Sequence, residues 1–251
     1  MFRCNVCNEA VTAYAFEAIE RETGICPACG ASSRARSITH LLSRALYGAS
    51  MPAVEWQRRD AVVYGVSDWA GFTPVFGRAI TYVNTQFDRD LYPGAVFLDI
   101  SSPPDHRLAT ADAVICSDVL EHVPPPVQGA FDGLFALLKP GGTLIFTVPW
   151  TFEATREHFP ELHEWTLQDR NGSRLLINRT REGKLEAFDD LVFHGGGDAV
   201  LEMRVFGLAD LKNHLQTAGF VDIAVMEDEV ADFGIRIGYP WSRPITARRP
   251  A

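Results

Sequence analysis

The sequence has no long hydrophobic run: within its 251 residues, none approaches the ~20 apolar residues needed to cross a bilayer. The residues that follow Met1 include Arg3 and Cys4, and they lack the apolar core of a secretory signal. We therefore expect a soluble protein with no membrane partner. The cytoplasm is its expected location.

An excess of positive charge is also missing. The chain has 23 Lys and Arg residues against 32 Asp and Glu residues, which gives a formal net charge of −9. Because phosphate backbones attract clustered Lys and Arg, this balance disfavours nucleic acid as a partner and favours a small-molecule substrate. The hydrophobic share of 47% and charged share of 22% are those of an ordinary globular chain.

Cysteine is scarce, yet four of the five cysteines form two Cys-x-x-Cys pairs separated by eighteen residues. Cys4 and Cys7 make the first pair, and Cys26 and Cys29 the second. Two such pairs complete the tetrahedral sulfur shell that Zn²⁺ prefers, so we predict a structural zinc ion with no open catalytic position. The alternatives are disulfides, which a reducing cytosol disfavours, and a redox pair, which would normally lie at a helix start beside a strand. We interpret Cys116 as a small buried hydrophobic residue.

Residues 1–50 are predicted to form a small zinc-ribbon-like module and a linking helix, and residues 51–251 the main domain. From Ile38 to Leu46 apolar residues follow one helical face, which would pack the module onto the main domain. Zinc ribbons often bind nucleic acid, but Arg34 and Arg36 make only a small basic patch after the second cysteine pair.

Beyond residue 60 short apolar runs alternate with amphipathic segments. This pattern predicts an α/β fold, a doubly wound and mostly parallel sheet covered by helices. Strands are predicted at 61–64, 80–84, 95–100, 113–117, 143–148 and 220–225, and helices at 127–138 and 208–215. In such sheets ligands bind beyond the carboxyl ends of the strands, so the loops there form the candidate site.

One stretch of this domain carries a recognisable pair of motifs. The first is Ser117-Asp118-Val119-Leu120-Glu121-His122-Val123, and the second is Leu138-Lys139-Pro140-Gly141-Gly142-Thr143-Leu144. Both resemble the motifs that follow strand four and precede strand five in class I S-adenosylmethionine-dependent methyltransferases. The resemblance implies a Rossmann-like fold, S-adenosylmethionine as cofactor and methyl transfer as the reaction. Some relatives also carry an N-terminal cysteine-rich module.

The resemblance further implies a set of cofactor-binding residues. The family's glycine-rich loop aligns with Gly65-Val66-Ser67-Asp68-Trp69, in which Gly65 alone matches a glycine in register, so we expect a reshaped loop. The ribose position lacks the usual acidic residue. An ordinary turn at Gly65 and a loop cap at Asp99 are the alternatives. The implied residues are Gly65, Ser67, Thr85, Gln86, Asp99, Ile100, Ser117 and Asp118.

Methyl transfer is a displacement that depends mainly on orientation, with a general base when the acceptor is hard to deprotonate. The candidate catalytic residues are His122, His158 and Glu153, although His122 could equally be a structural histidine bonded to a loop carbonyl. The segment 150–165 is rich in aromatic and titratable residues. It is either a lid over the acceptor site or a solvated helix.

A small metabolite, such as a sugar or a natural-product intermediate, is the expected acceptor. The missing glycines leave a second hypothesis open, a zinc-ribbon binding protein on a degenerate domain that no longer methylates. A nicotinamide-dependent oxidoreductase is disfavoured because the full Gly-x-Gly-x-x-Gly fingerprint is absent. The triple glycine at 195–197 is more typical of a turn than of a phosphate cradle.

Overall fold

The fold is described from a computed structural model, which covers residues 1–88, 90, 94–170, 172–194, 200–239, 241 and 243–251. The triple glycine at 195–197 lies outside these described residues. Within them, no helix has the length and apolar character that a membrane crossing requires.

The first fifty residues contain a short hairpin and one helix. Strand β1 (Phe2–Arg3) pairs antiparallel with β2 (Ala10–Val11). Helix α1 (Ser33–Tyr47) follows the second cysteine pair, as predicted. The Ser32 side chain caps its first turn, and Gly48 ends it in a left-handed conformation with φ 73°.

The strands predicted at 61–64, 80–84, 113–117 and 143–148 and the helix at 127–138 are all present between residues 62 and 147, whereas the described residues between the second and fourth strands of this series contain no α-helix. The third strand of this series is shorter than predicted because the chain turns at Asp99, whose carboxylate accepts the backbone N–H of Ser101 at 2.8 Å. The elements are β3 (Val62–Val66), α2 (Thr73–Phe76), β4 (Thr81–Gln86), β5 (Val96–Phe97), β6 (Ala111–Ser117), α3 (Gln128–Leu137) and β7 (Leu138–Thr147).

Residues 148–203, which we name the insertion, contain short strands in place of the helix considered for 150–165. That helical interpretation is wrong, because residues 150–151 and 156–157 pair with the strand that follows the insertion, and residues 164–165 pair with a strand within it. The strands are β8 (Trp150–Thr151), β9 (Arg156–Glu157), β10 (Glu164–Arg170), β11 (Ser173–Arg179), β12 (Leu185–Phe188), β13 (Phe193–His194) and β14 (Val200–Leu201), and then β15 (Arg204–Gly207).

Three elements complete the sheet after the insertion. Helix α4 (Leu208–Ala218) ends at Gly219, which has φ 100°, and β16 (Val221–Val225) follows it. A further strand, β17 (Ile245–Arg248), was not predicted. Its four residues give too short a pattern to stand out from the sequence around them.

The central sheet of the described chain has the order β16-β17-β7-β6-β3-β4-β5. Its strands run parallel except β17, which is antiparallel to both neighbours. The chain moves outward from β3 to β5 and then crosses to β6 on the other side of β3. This reversal of direction confirms the doubly wound fold and puts a crevice at the carboxyl ends of β3 and β6.

Two clusters of buried side chains cover the two faces of the sheet. On one face Phe131 of α3 and Leu211 of α4 pack against the strands. On the other face a continuous cluster runs from Phe2 through Ile38 of α1 to Ile145 of β7. The first fifty residues therefore share a core with the sheet, and their separation at residue 50 stays a prediction.

Candidate cofactor crevice and metal centre

The four paired cysteines lie together beneath the β1–β2 hairpin. Their Sγ atoms are all within 4.8 Å of one another. Cys4 and Cys29 are 3.7 Å apart, and Cys7 and Cys26 are 3.6 Å apart. Because Zn–S bonds of about 2.3 Å give a tetrahedron with edges of about 3.8 Å, this spacing fits one zinc ion.

The two cysteine pairs also share one backbone geometry. The Asn8 N–H donates to the Cys4 carbonyl at 2.7 Å, and the Gly30 N–H donates to the Cys26 carbonyl at 2.8 Å. Asn8 and Gly30 both have left-handed φ values, of 67° and 80°, which Asn and Gly adopt most readily. The repeated geometry supports a built metal site over two unrelated thiol pairs.

The loop after β3 keeps a glycine-like backbone without the family's glycines. Ser67 has φ 50°, although only Gly adopts that region without steric cost. Its N–H donates to the Thr85 carbonyl at 2.8 Å, and the Thr85 hydroxyl donates to the Gly65 carbonyl at 3.0 Å. Thr85 is fully buried, so its hydroxyl holds this loop.

Gly65 is required by packing within the protein. A Cβ at this position would lie 2.2 Å from the Tyr82 hydroxyl oxygen and 3.0 Å from the Asp68 Cβ. The Tyr82 hydroxyl donates to Asp68 at 3.0 Å. The Tyr82 side chain therefore leaves room only for glycine at position 65.

Asp68 is a buried carboxylate in this loop, and the sequence analysis did not select it. Burial raises the pKa of Asp68 to about 7, although hydrogen bonds from Tyr82 and from the Trp69 N–H act in the opposite direction. A carboxylate within the glycine-rich loop itself was the signal that could have identified it. Near neutral pH this group exchanges a proton readily.

Asp118 follows β6 and also has a left-handed backbone, with φ 54°. Its N–H donates to the Thr147 carbonyl at 2.8 Å, and the Thr147 hydroxyl donates to its carboxylate at 2.8 Å. Burial alone would raise the pKa of Asp118. The charges of Arg21 and Arg34, together with hydrogen bonds, outweigh burial and hold the pKa below its ordinary value.

Those two arginines come from the first fifty residues of the chain. Arg21 Nη2 lies 2.5 and 2.7 Å from the two carboxylate oxygens of Asp118. Arg34 Nη1 donates to the Ser117 hydroxyl at 2.6 Å and lies 3.3 Å from Asp118. Glu22 binds both arginines, at 2.9 and 2.5 Å. The N-terminal segment thus reaches across the crevice edge to β6.

A cleft of about 160 Å³ lies between this segment and the loop after β3. One wall includes Glu22, Gly30 and Arg34, and the opposite wall includes Asp68 and Trp69. This volume is smaller than that of most small-molecule sites, so the cleft can take one end of a ligand, and a few charged groups stand among its apolar residues. One guanidinium and two carboxylates line it.

Histidines and carboxylates gather on the insertion side of the crevice. Buried Glu202 accepts hydrogen bonds from His158 at 2.8 Å and from His194 at 2.7 Å. The His122 ring lies 5.6 Å from that of His194. His122 Nδ1 donates to the Leu201 carbonyl at 2.9 Å, and burial lowers the pKa of His122, so that neutral imidazole carries its lone pair on Nε2.

A family model described as a methyltransferase domain matches residues 17–225. The chain belongs to this methyltransferase family. It is therefore an S-adenosylmethionine-dependent methyltransferase, as the motifs around β6 and β7 predicted. No curated protein matches the chain in sequence.

Several solved structures resemble this methyltransferase. An S-adenosylmethionine-dependent methyltransferase from Mesorhizobium loti is 15% identical, with a TM-score of 0.47 over 87% of this chain and 98% of its own. A sugar N-methyltransferase from a Streptoalloteichus species is 14% identical, with a TM-score of 0.45 over 86% of each chain. An amino pentose methyltransferase from Micromonospora echinaspora is 15% identical, with a TM-score of 0.43 over 75% of this chain and 83% of its own. The family model, which spans most of the chain, carries the assignment.

The cleft of this methyltransferase has groups that fit the amino-acid end of S-adenosylmethionine. That end carries one ammonium and one carboxylate. Arg34 offers a cation to the carboxylate, and Glu22 and Asp68 offer anions to the ammonium. The residues present therefore fit this part of the cofactor.

The structure brings together some of the predicted cofactor residues and separates others. Gly65, Ser67 and Thr85 form one hydrogen-bonded loop, and Ser117 and Asp118 lie across the crevice from it. Further along the sheet edge, half-buried Gln86 ends β4 and Asp99 caps a turn. Ile100 is 5% exposed and packs in the core of the sheet.

Among the candidate catalytic residues, His122 and His158 share one cluster and Glu153 lies outside it. Glu153 is exposed, and its N–H donates to the Thr151 hydroxyl at 3.1 Å. The role of His194 and Glu202 in this cluster was missed. Their pairing depends on contacts between strands that the sequence alone does not reveal.

Buried Arg204 attaches the insertion to the loop after β6. Its guanidinium donates to the carbonyls of Leu120 at 3.0 Å and Val123 at 2.6 Å, and to Glu157 at 2.6 Å. Next to it, burial and the charge of Asp118 raise the pKa of Glu121 well above its ordinary value. The post-β6 motif is thus held from both sides, by arginines of the first fifty residues and by Arg204.

Proposed function

We propose that this methyltransferase transfers a methyl group from S-adenosylmethionine to a small-molecule acceptor, a sugar or a natural-product intermediate, and that a zinc ion on four cysteines stabilises its N-terminal module. The charged cleft beside the post-β6 methyltransferase motif is the observation that carries the proposal. The net charge of −9 supports a small acceptor over a nucleic acid.

The residues of the cleft bind and orient the cofactor. Bound S-adenosylmethionine supplies an electrophilic methyl group on its sulfonium. The loop from Gly65 to Asp68 would hold the methionine end, and Ser117 and Asp118 fix Arg34 of the opposite wall. Gln86 serves the ribose and Asp99 the adenine, whereas Thr85 and Ile100 support these positions from the core.

The acceptor enters between residues 118–123 and residues 150–165. His122 takes the acceptor's proton, because its neutral imidazole keeps Nε2 free to accept while Nδ1 is held by Leu201. His158 is the second candidate base, and its Nε2 is held by Glu202. Exposed Glu153 is the least supported of the three.

The zinc ion has a structural role in this proposal. Cys4, Cys7, Cys26 and Cys29 would fill the tetrahedral shell and leave no position for a substrate. Residues 1–50 then form the N-terminal module and residues 51–251 the methyltransferase domain, joined through one core.

A second candidate function is a zinc-dependent binding protein on a domain that no longer methylates. The burial of Thr85 and Ile100, both implied cofactor contacts, favours it. Isothermal titration calorimetry of the zinc-loaded protein with S-adenosylhomocysteine separates the two functions. We expect saturable heat at one site per chain, and a flat titration would eliminate the methyltransferase proposal.

The base assignment has its own test once an acceptor is found, by supplying methyl-tritiated cofactor to a panel of amino sugars and hydroxylated metabolites. His122→Gln should lower turnover by about 10²- to 10⁴-fold and leave S-adenosylhomocysteine affinity unchanged. Wild-type turnover in both His122→Gln and His158→Gln would show that neither histidine is the base.

A further inference from the structure

We infer that the N-terminal module is a wall of the cofactor site, with Glu22 and Arg34 contacting the amino-acid end of S-adenosylmethionine, and that zinc binding and cofactor binding stabilise each other. This inference rests on the proposed function. It assigns to the zinc ion an effect on cofactor affinity as well as on the stability of the chain.

The first argument is the composition of the cleft. Most of the residues lining it come from 22–38, the segment around and after the second cysteine pair. Gly30 belongs to both structures, since it lines the cleft and its N–H donates to the carbonyl of Cys26. A Cβ added to Gly30 would lie 3.6 Å from the Trp69 ring on the opposite wall. The metal site and the cleft therefore share backbone.

The second argument is the way this wall is fixed to the rest of the molecule. Arg36 is fully buried and donates to the carbonyls of Gly24 at 2.9 Å, Ala31 at 2.6 Å and Gly234 at 2.8 Å. These bonds brace the segment on both sides of the second cysteine pair. Arg36 is thus a structural residue, and the basic patch considered for it with Arg34 is not a surface feature.

The third argument is the small amount of regular structure that holds the segment without metal. Between Cys7 and Cys26 the described backbone has only the two residues of β2 and one short helical turn at Phe16–Ala18. Four metal–sulfur bonds would close this loop and fix residues 22–30 against the hairpin. Losing them frees the wall that carries Glu22, so the cleft loses its shape.

Charge complementarity supports Glu22 and Arg34 as the contacting residues. Arg34 Nε binds Glu22, and Nη1 binds Ser117 and lies 3.3 Å from Asp118, whereas Nη2 makes one longer contact of 3.4 Å to Glu22. Arg21 binds both oxygens of Asp118 and so takes up much of that negative charge. Arg34 is therefore the guanidinium that can turn toward a ligand carboxylate.

Because linkage is reciprocal, the coupling can be measured from either ligand. Zinc release from the intact protein is followed with a chromogenic chelator, with and without saturating S-adenosylhomocysteine. We expect the ligand to slow release several-fold, because the occupied cleft would hold residues 22–30 against the hairpin. Arg34→Met should lower the affinity for S-adenosylhomocysteine at least 10-fold and remove this protection. Arg44→Met, an exposed arginine on the same helix, is the matched control and should behave as wild type.

The outcomes separate the inference from the proposed function. If the zinc-loaded wild type binds no S-adenosylhomocysteine, the proposed function fails and the inference falls with it. If the ligand binds but leaves zinc release unchanged, the coupling is refuted. If Arg34→Met binds as tightly as Arg44→Met, the assigned contact is refuted. The release assay begins from folded, zinc-loaded protein, so unfolding of the metal-free chain does not affect its interpretation.

Discussion

The N-terminal module and the insertion flank the same crevice, and they are built in different ways. Side chains of the module, including Phe2 and Val6, join the large cluster beneath the sheet. The insertion has a small cluster of its own around Phe159 and Leu176. Strand β10 of the insertion is exposed at each of its seven positions.

This difference indicates that the N-terminal module is the more rigid of the two regions and the insertion the more variable. The module wall is fixed by a shared core, by buried Arg36 and by the cysteine cluster, whereas the insertion is attached to the post-β6 loop by Arg204 and by the hydrogen bond between His122 and Leu201. Regions with few buried contacts open at lower cost. We therefore expect a constant cofactor wall and an adaptable acceptor wall.

The largest expected effect comes from Cys26→Ser in the module. Loss of the metal should lower the free energy of unfolding by more than about 3 kcal/mol. Because the module's cluster continues to Ile145, hydrogen exchange should increase in β6 and β7 as well as in residues 1–50. Native mass spectrometry checks the loss of one zinc ion. Faster exchange restricted to residues 1–50 would show that the two parts unfold independently.

An intermediate effect is expected from Asp68→Asn, through pH. In the folded protein the pKa of Asp68 is about 7, above the ordinary value of 3.8. The contribution of Asp68 to the free energy of unfolding is therefore fully present below pH 4 and is lost as the pH rises through 7. Between pH 5 and pH 8, the titration of Asp68 should lower the free energy of unfolding of the wild type by on the order of 2 kcal/mol. Asp68→Asn should abolish this decrease. Urea unfolding at both pH values measures it, and equal pH dependence in the two proteins would contradict the assignment.

In the insertion, Glu202→Gln should have a local effect. One amide cannot accept hydrogen bonds from both His158 and His194 as the carboxylate does, so the insertion should loosen by about 1 to 2 kcal/mol. Hydrogen exchange should increase at β13 and β14 while the central sheet stays protected. Glu164→Gln, an exposed carboxylate 3.9 Å from Arg179, is the control. If hydrogen exchange increases throughout the central sheet, the insertion does not open independently of the sheet, and the proposed difference between the two walls is wrong.

The smallest effect is expected at Ser67. With φ 50° the serine pays a steric cost that glycine avoids, so Ser67→Gly should leave the fold intact and raise stability by up to about 1 kcal/mol. Thermal unfolding and calorimetry with S-adenosylhomocysteine check both points. If Ser67→Gly lowers the stability, the contribution of the Ser67 hydroxyl outweighs the steric cost of the Ser67 backbone conformation.

The sequence predicted those features that depend on local spacing. The run from β6 through α3 to β7, the α1 and α4 helices and the cysteine cluster each lie within a short window or repeat a two-residue gap. Strand β17 was missed because its pairing with β7 joins residues about a hundred positions apart, as Ile245 does with Phe146. Such pairing leaves no periodic signal.

The candidate site was predicted in part for the same reason. Ser67 and Asp118 were selected by position, but their arginine and threonine partners come from distant segments, as in the Arg21–Asp118 ion pair. Thr85 and Ile100 were selected as cofactor contacts, yet the Thr85 side chain lies on the interior face of its strand, and Ile100, beyond the turn at Asp99, is buried in the core. The sequence therefore indicates which residues lie at the ends of strands, but not whether their side chains face the crevice or the core.

Strand β17 also affects how the molecule is made. It lies between β16 and β7, yet it follows the other six strands of the sheet along the chain. Gly234 and Arg236, which hold Arg36 and Ser33 of the module side, also come late. During synthesis the ribosome releases the cysteine pairs first and these closing residues more than two hundred positions later. A nascent chain therefore contains all four paired cysteines long before the residues that close the sheet and brace the module have been synthesised.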